Sequence, residues 1–204
     1  MTEASEKESK GGLPFWLEFP LLVIVALGVA ILIKTFLVQA FWIPSGSMIP
    51  TLEINDRVLV NKIEYRFDEP ERGDVVVFES PYGDDEPEPI GEAFVRTIAE
   101  SLGIRTAAIP DDFIKRVIAA GGQTVEIADN RVLVDNVVIA EPYLPNGVQM
   151  QDMEPITVPG DELWVMGDNR NHSSDSRVFG TIPADEVVGR AFVVMWPISR
   201  AGGL

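Results

Sequence analysis

The sequence predicts a mainly β protein, an antiparallel β-sheet domain held on one N-terminal membrane span and carrying a small inserted helix. Three observations predict it. An apolar run near the N-terminus is long enough to cross a bilayer. After about Val38, short β-branched runs recur between turn signals. One stretch among them breaks that rhythm with a four-residue apolar period.

Length and composition bound the function. At 204 residues the chain is one ordinary domain with additions. A net charge of -16 argues against nucleic acid, whose phosphates select Lys and Arg patches. Cysteine is absent, so disulfides, thiolate metal sites and cysteine nucleophiles are excluded. A single histidine, His172, is too few for a His-rich metal site. "DNRNHSSD" superficially resembles an oxygen-ligand cation loop, yet lacks the mid-loop Gly and the closing Glu of the calcium pattern. No metal or cofactor is expected, and the chemistry falls to Ser, Lys, Asp, Glu or His172.

Residues 1–12, polar and ending in Gly-Gly, read as a cytoplasmic tail. Residues 13–36 follow as a transmembrane anchor whose apolar part carries one charge, Glu18. Trp16 and Trp42 stand 26 residues apart, about 39 Å if the whole stretch is helical, which suits two interfacial anchors. A cleavable signal peptide competes with this reading, but the tail is not net positive and the run continues into Lys34 and more apolar residues. Lys7 and Lys10 before the span against Lys34 after it place the N-terminus in the cytoplasm. The expected location is the plasma membrane, single-pass, with the following domain outside the cell.

Residues 37–204 form that domain. Strands are expected at 57–60, 74–78, 113–120, 124–127, 131–134, 137–139, 162–166 and 189–196. Asp135 and Asn136 between two of them tolerate the positive φ of a two-residue hairpin turn. An insertion at about 81–110 begins with the acidic "PYGDDEPEP", and then Ile90, Phe94, Ile98 and Leu102 mark one apolar helix face, expected to pack on the sheet without a function of its own.

Chemistry concentrates in "FWIPSGSMIPTL". Pro44 and Pro50 stiffen a loop that carries Ser45, Gly46 and Ser47. A serine attacks only when a base takes its proton, and two bases are available. Lys115 lies in the apolar "DFIKRVIAA", where burial disfavours the ammonium and leaves a neutral amine able to act as base. His172, with Asp175, could instead complete a Ser/His/Asp triad. Composition does not choose between them.

Four ordered stretches do more. "PSGSMIPTL" (44–52), "RGDVVVF" (72–78), "FIKRVIAAGG" (113–122) and "GDNRNHSSDSRVFG" (167–180) resemble, box by box, the motifs of bacterial type I signal peptidases. The resemblance implies that Ser47 is the nucleophile and Lys115 the general base. It implies an oxyanion hole built from the Ser45 hydroxyl and the Ser47 amide, and Ser173 orienting the lysine. Asp168, Asp175, Arg177 and Arg116 are implied as structural support, and His172 matches no catalytic position. The chain departs from the family at Gly121 and Gln123, where the family turn has Pro and Asp, so a looser turn is expected.

The expected function is thus a membrane-bound serine endopeptidase that removes N-terminal signal peptides from secreted preproteins. Its expected partners are those signal peptides, the lipid bilayer and the secretion translocon. Ser47 lies five residues past Trp42, at most about 18 Å of extended chain, so the attack is expected at the membrane surface. The alternatives are a membrane-anchored β-domain binding or scaffold protein, a serine hydrolase using His172 as base, and a repressor-type self-cleaving protein, against which the span and the lack of a basic DNA-binding segment speak.

Overall fold

The computed structural model describes residues 15–82 and 112–204. The tail at 1–12 and the expected helix at 90–102, with nearly all of the insertion, lie outside the described residues.

The chain opens with helix α1 (Phe15–Phe36), with Pro20 inside its second turn. Side chains are described for Trp16 and residues 18–29, all of them exposed. Among the described residues no helix is long and apolar enough to cross a membrane.

Among the described residues, twelve strands follow in two sheets. They are β1 (Val38–Trp42), β2 (Arg57–Asn61), β3 (Val75–Glu79), β4 (Asp112–Ala120), β5 (Thr124–Ala128), β6 (Arg131–Val134), β7 (Val137–Val138), β8 (Met153–Thr157), β9 (Glu162–Met166), β10 (Ile182–Pro183), β11 (Val187–Trp196) and β12 (Gly202–Gly203). The larger sheet runs β1-β2-β11-β3-β4-β9-β10, with β12 on β11, and the smaller β7-β6-β5-β8. Every pairing is antiparallel. The mainly β expectation holds.

β3 shows why "DVVVF" is an unbroken apolar run. Alternate residues leave opposite faces of a strand. Val75 and Val77 enter one core with Phe41, Met48, Leu52 and Val58, while Val76 and Phe78 enter another with Val117, Leu163 and Val165. A third core, with Val125, Ile127, Val132 and Trp164, fills the space between the sheets.

The Asp135-Asn136 hairpin is present, with φ of 52° and 64°. Asp129-Asn130 makes a second turn of the same kind, at 49° and 63°, between β5 and β6. Trp42 corrects the helical spacing drawn from the sequence. It ends β1, paired with Arg57, so residues 38–42 rise as a strand and Trp16 and Trp42 do not share a helix axis.

The 121–123 turn is better held than expected. Gln123 Oε1 accepts from the Ala120 amide at 3.0 Å and its Nε2 donates to Asp135 at 3.3 Å, which holds the turn from both ends. A Cβ at Gly121 would stand 2.1 Å from the Gly160 carbonyl oxygen, so the position needs a glycine.

Candidate active site

The loop 43–56, between β1 and β2, carries the serines. Its neck is closed by Ile43 N–H to the Asp56 carbonyl and Asn55 N–H to the Ile43 carbonyl, both 2.9 Å. Met48 and Leu52 are fully buried beneath it. A loop anchored at both feet and through its floor holds its apex in one place.

β4 brings Lys115 to that apex. Its Nζ donates to Ser47 Oγ at 3.1 Å and to the Ile114 carbonyl at 3.0 Å. The side chain is 3% exposed. Burial pushes the ammonium down to about 8, against a smaller opposing pull from Asp175. The Phe113 ring lies 4.9 Å from Nζ. Ser45 Oγ stands 3.5 Å from Ser47 Oγ, at the limit of a hydrogen bond, so both hydroxyls face one point. These groups open into a cavity of about 340 Å³ between the loop, the start of β4, and Asn169, His172 and Ser174.

The supporting ion pairs assemble. Arg116 grips Asp168 with two bonds of 2.9 and 2.7 Å and reaches the Gly73 carbonyl at 2.7 Å. Burial works against the guanidinium charge, and the Asp168 carboxylate outweighs it and raises the Arg116 pKa. Asp175 caps the short helix α2 (Ser176–Phe179), pairs with Arg177 through two 2.8 Å bonds and accepts from the Gly167 amide at 3.0 Å. Such buried pairs cost about 3–5 kcal/mol to break from one side, so they fix the 167–177 loop firmly.

Ser173 makes no bond to Lys115. Its Oγ is buried without a hydrogen-bond partner close to Gly167 and the Ser47 carbonyl, and the residue also lines a cavity of about 670 Å³ with Met150, Arg170 and Arg177. The bonds that orient Lys115 in this arrangement go to Ser47 and to Ile114. His172 is exposed, and its Nδ1 lies 3.3 Å from Asn169 Oδ1. With Asp175 committed to Arg177 and Gly167, no Ser/His/Asp triad is assembled.

Three residues that sequence reasoning left unassigned also hold the site. Asn169 Nδ2 donates to the Gly46 carbonyl and its amide to the Ser47 carbonyl, both at 2.9 Å. The Thr51 hydroxyl donates to Asp168. A Cβ at Gly167 would lie 2.5 Å from the Ser47 carbonyl oxygen and 2.2 Å from Ser173 Oγ, so only glycine lets the two loops meet. All three fall inside the quoted boxes, which was the one signal available.

The geometry offers a buried serine, an amine with lowered basicity in contact with it, and a hydroxyl donor beside it. That set can activate a nucleophile and stabilise an oxyanion. A family model described as "Signal peptidase, peptidase S26" matches residues 16–196. Signal peptidase I of Leptolyngbya laminosa is 40% identical over 182 residues, covering 89% of this chain and 78% of that protein. Signal peptidase I of Mycobacterium tuberculosis is 36% identical, covering 91% and 74% respectively. The crystal structure of a signal peptidase I from Enterococcus faecalis shares 25% identity, covers 60% of this chain and 97% of that one, and superposes with a TM-score of 0.43.

Proposed function

The chain belongs to the signal peptidase family, peptidase S26, and from that premise we propose a mechanism in which Ser47 is the nucleophile and Lys115 the base. The protein is a serine endopeptidase that removes signal peptides from preproteins. The observation that carries the residue assignment is the 3.1 Å contact between Lys115 Nζ and Ser47 Oγ inside a site that lowers the lysine's basicity.

The neutral amine takes the Ser47 proton as Oγ attacks the scissile carbonyl. The Ser45 hydroxyl and the Ser47 amide face the oxygen that becomes anionic; removing one such donor typically costs about 10²-fold or more in rate. Lys115 returns its proton to the leaving amine, and the mature protein departs. It then takes a proton from water, whose oxygen attacks the acyl-enzyme and frees the signal peptide. The resemblance assigns Ser173 to steadying the lysine, and its buried hydroxyl is free of any hydrogen bond in this arrangement. Arg116, Asp168, Asp175 and Arg177 keep the two loops in register.

α1 is read as the anchor of a single-pass plasma-membrane protein with its N-terminus cytoplasmic and the catalytic domain outside. Its described apolar stretch is too short to span a bilayer on its own, and what supports the reading is that those side chains are exposed and almost entirely apolar. Preproteins would then arrive threaded through the bilayer from the secretion translocon.

The test is cleavage of a model preprotein in vesicles by wild type, Ser47→Ala, Lys115→Ala and His172→Ala, each checked for folding. The first two variants are expected to lose at least about 10³-fold, and His172→Ala to cut within a few-fold of wild type. A dead His172→Ala beside an active Lys115→Ala would move the base to the histidine.

A further inference from the structure

Beyond residue 196, where the family match ends, the chain turns back onto the loop that carries the nucleophile. A short 3-10 turn (Ile198–Arg200) leads into β12, which pairs with β11, and the Leu204 amide donates to the Phe192 carbonyl. This fixes the base of Arg200. Its guanidinium then reaches three points of the loop 43–56. Nη2 donates to the Thr51 carbonyl at 3.3 Å, Nη1 to Glu53 Oε1 at 2.9 Å, and Nε to both oxygens of Asp56 at 3.2 Å.

Each contact bears on the apex. Asp56 is 1% exposed, its side chain accepts from the Glu53 amide at 2.9 Å, and its carbonyl closes the loop neck at Ile43. Thr51 is also the residue whose hydroxyl meets Asp168. Asn169 holds the limb of the loop that contains Gly46 and Ser47, and the Arg116–Asp168 pair meets its middle through Thr51. The limb from Thr51 to Asp56 has Arg200.

We infer that Arg200 is a positioning residue for the reaction, a C-terminal clamp that holds the 43–56 loop so that Ser47 meets Lys115. The inference rests on the reading of Ser47 as nucleophile. Arg200 touches no reacting atom and acts through Thr51, Glu53 and Asp56. A planar donor fork that binds three acceptors at once is a task for arginine, and lysine, with one ammonium, recovers only part of it. A small displacement at the apex is enough to slow the attack, because a misplacement of about 1 Å can cost on the order of 10²-fold.

The experiment measures kcat and KM of the full chain on a synthetic signal-peptide substrate, per active site titrated with a serine-directed acylating probe. The variants are Arg200→Gln, Arg200→Lys, Glu53→Ala and Ser47→Ala. Arg200→Gln is expected to lower kcat by about 10-fold with KM within about 2-fold, Arg200→Lys to recover part of it, and the alkaline rise of the pH profile to move upward as Lys115 is less tightly covered. Wild-type kcat per titrated site in Arg200→Gln, with the loss confined to melting temperature or to the number of active sites, would overturn the clamp. Should Arg200→Gln fail to fold, Glu53→Ala decides, since it removes an acceptor of Arg200 at a largely exposed side chain. A fall in its kcat supports the clamp and an unchanged kcat overturns it. Full activity in Ser47→Ala would instead remove the nucleophile assignment, and the clamp with it.

Discussion

As the proposed base, Lys115 would set the working pH of the site. Burial destabilises its ammonium relative to water, and the amine is fully protonated only well below pH 8. The sign follows directly. The base must be neutral, so kcat/KM is expected to rise about 10-fold per pH unit below 8 and to level above it. A pH-rate profile on a peptide lacking titratable groups checks this, and a profile that falls between pH 6 and 9 contradicts it. Ser47 and Lys115 were legible in the sequence because each lies in a short stretch with its own pattern. Asn169 was not, since its bond to the Gly46 carbonyl joins residues 123 apart and leaves no local trace. The Ile114 carbonyl as a partner of Lys115 was equally hidden, because a backbone acceptor has no identity in a sequence.

At the scale of elements, the site is the meeting of two loops. The loop 43–56 and the 167–177 stretch touch through Ser47, Gly167 and Asn169, with β4 bringing Lys115 to them. Gly167→Ala puts a methyl group 2.5 Å from the Ser47 carbonyl oxygen and forces the loops apart. It is expected to cost about 1–3 kcal/mol of stability, as overpacking does, and on the order of 10²-fold in kcat. Thermal melts beside the kinetics check both, and wild-type kcat would show that the loops have slack. The longer strands were readable from their apolar runs, and the antiparallel hairpin from Asp135-Asn136. β1, β8, β10 and β12 were not: β1 directly continues the apolar run read as the span, β8 is mostly exposed and interrupted by Pro155, β10 is two residues bonded to β9, and β12 two glycines bonded to β11. The 121–123 turn looked weak from residue identity alone, yet the Gln123 amide reaches both Ala120 and Asp135.

For the whole molecule, the division of labour is between α1 and the sheets. The groups proposed to be catalytic all lie beyond residue 44, and the larger sheet begins at Val38, so a chain starting at residue 37 keeps every described contact of the site. Such a chain is expected to cleave a soluble signal-peptide analogue within a few-fold of wild type but a bilayer-embedded preprotein at least about 10-fold more slowly, because tethering raises the local concentration of enzyme at the membrane. Equal rates on both substrates would deny α1 that role. β11 pairs with both β2 and β3, and Arg200 follows it at once. The sheet therefore stays split in two, and the loop 43–56 half-supported, until residues 187–200 have been synthesised. Pairings between residues so far apart in the chain also form slowly. Ser47 thus leaves the ribosome early, while the strand that joins the two halves of its sheet leaves it late.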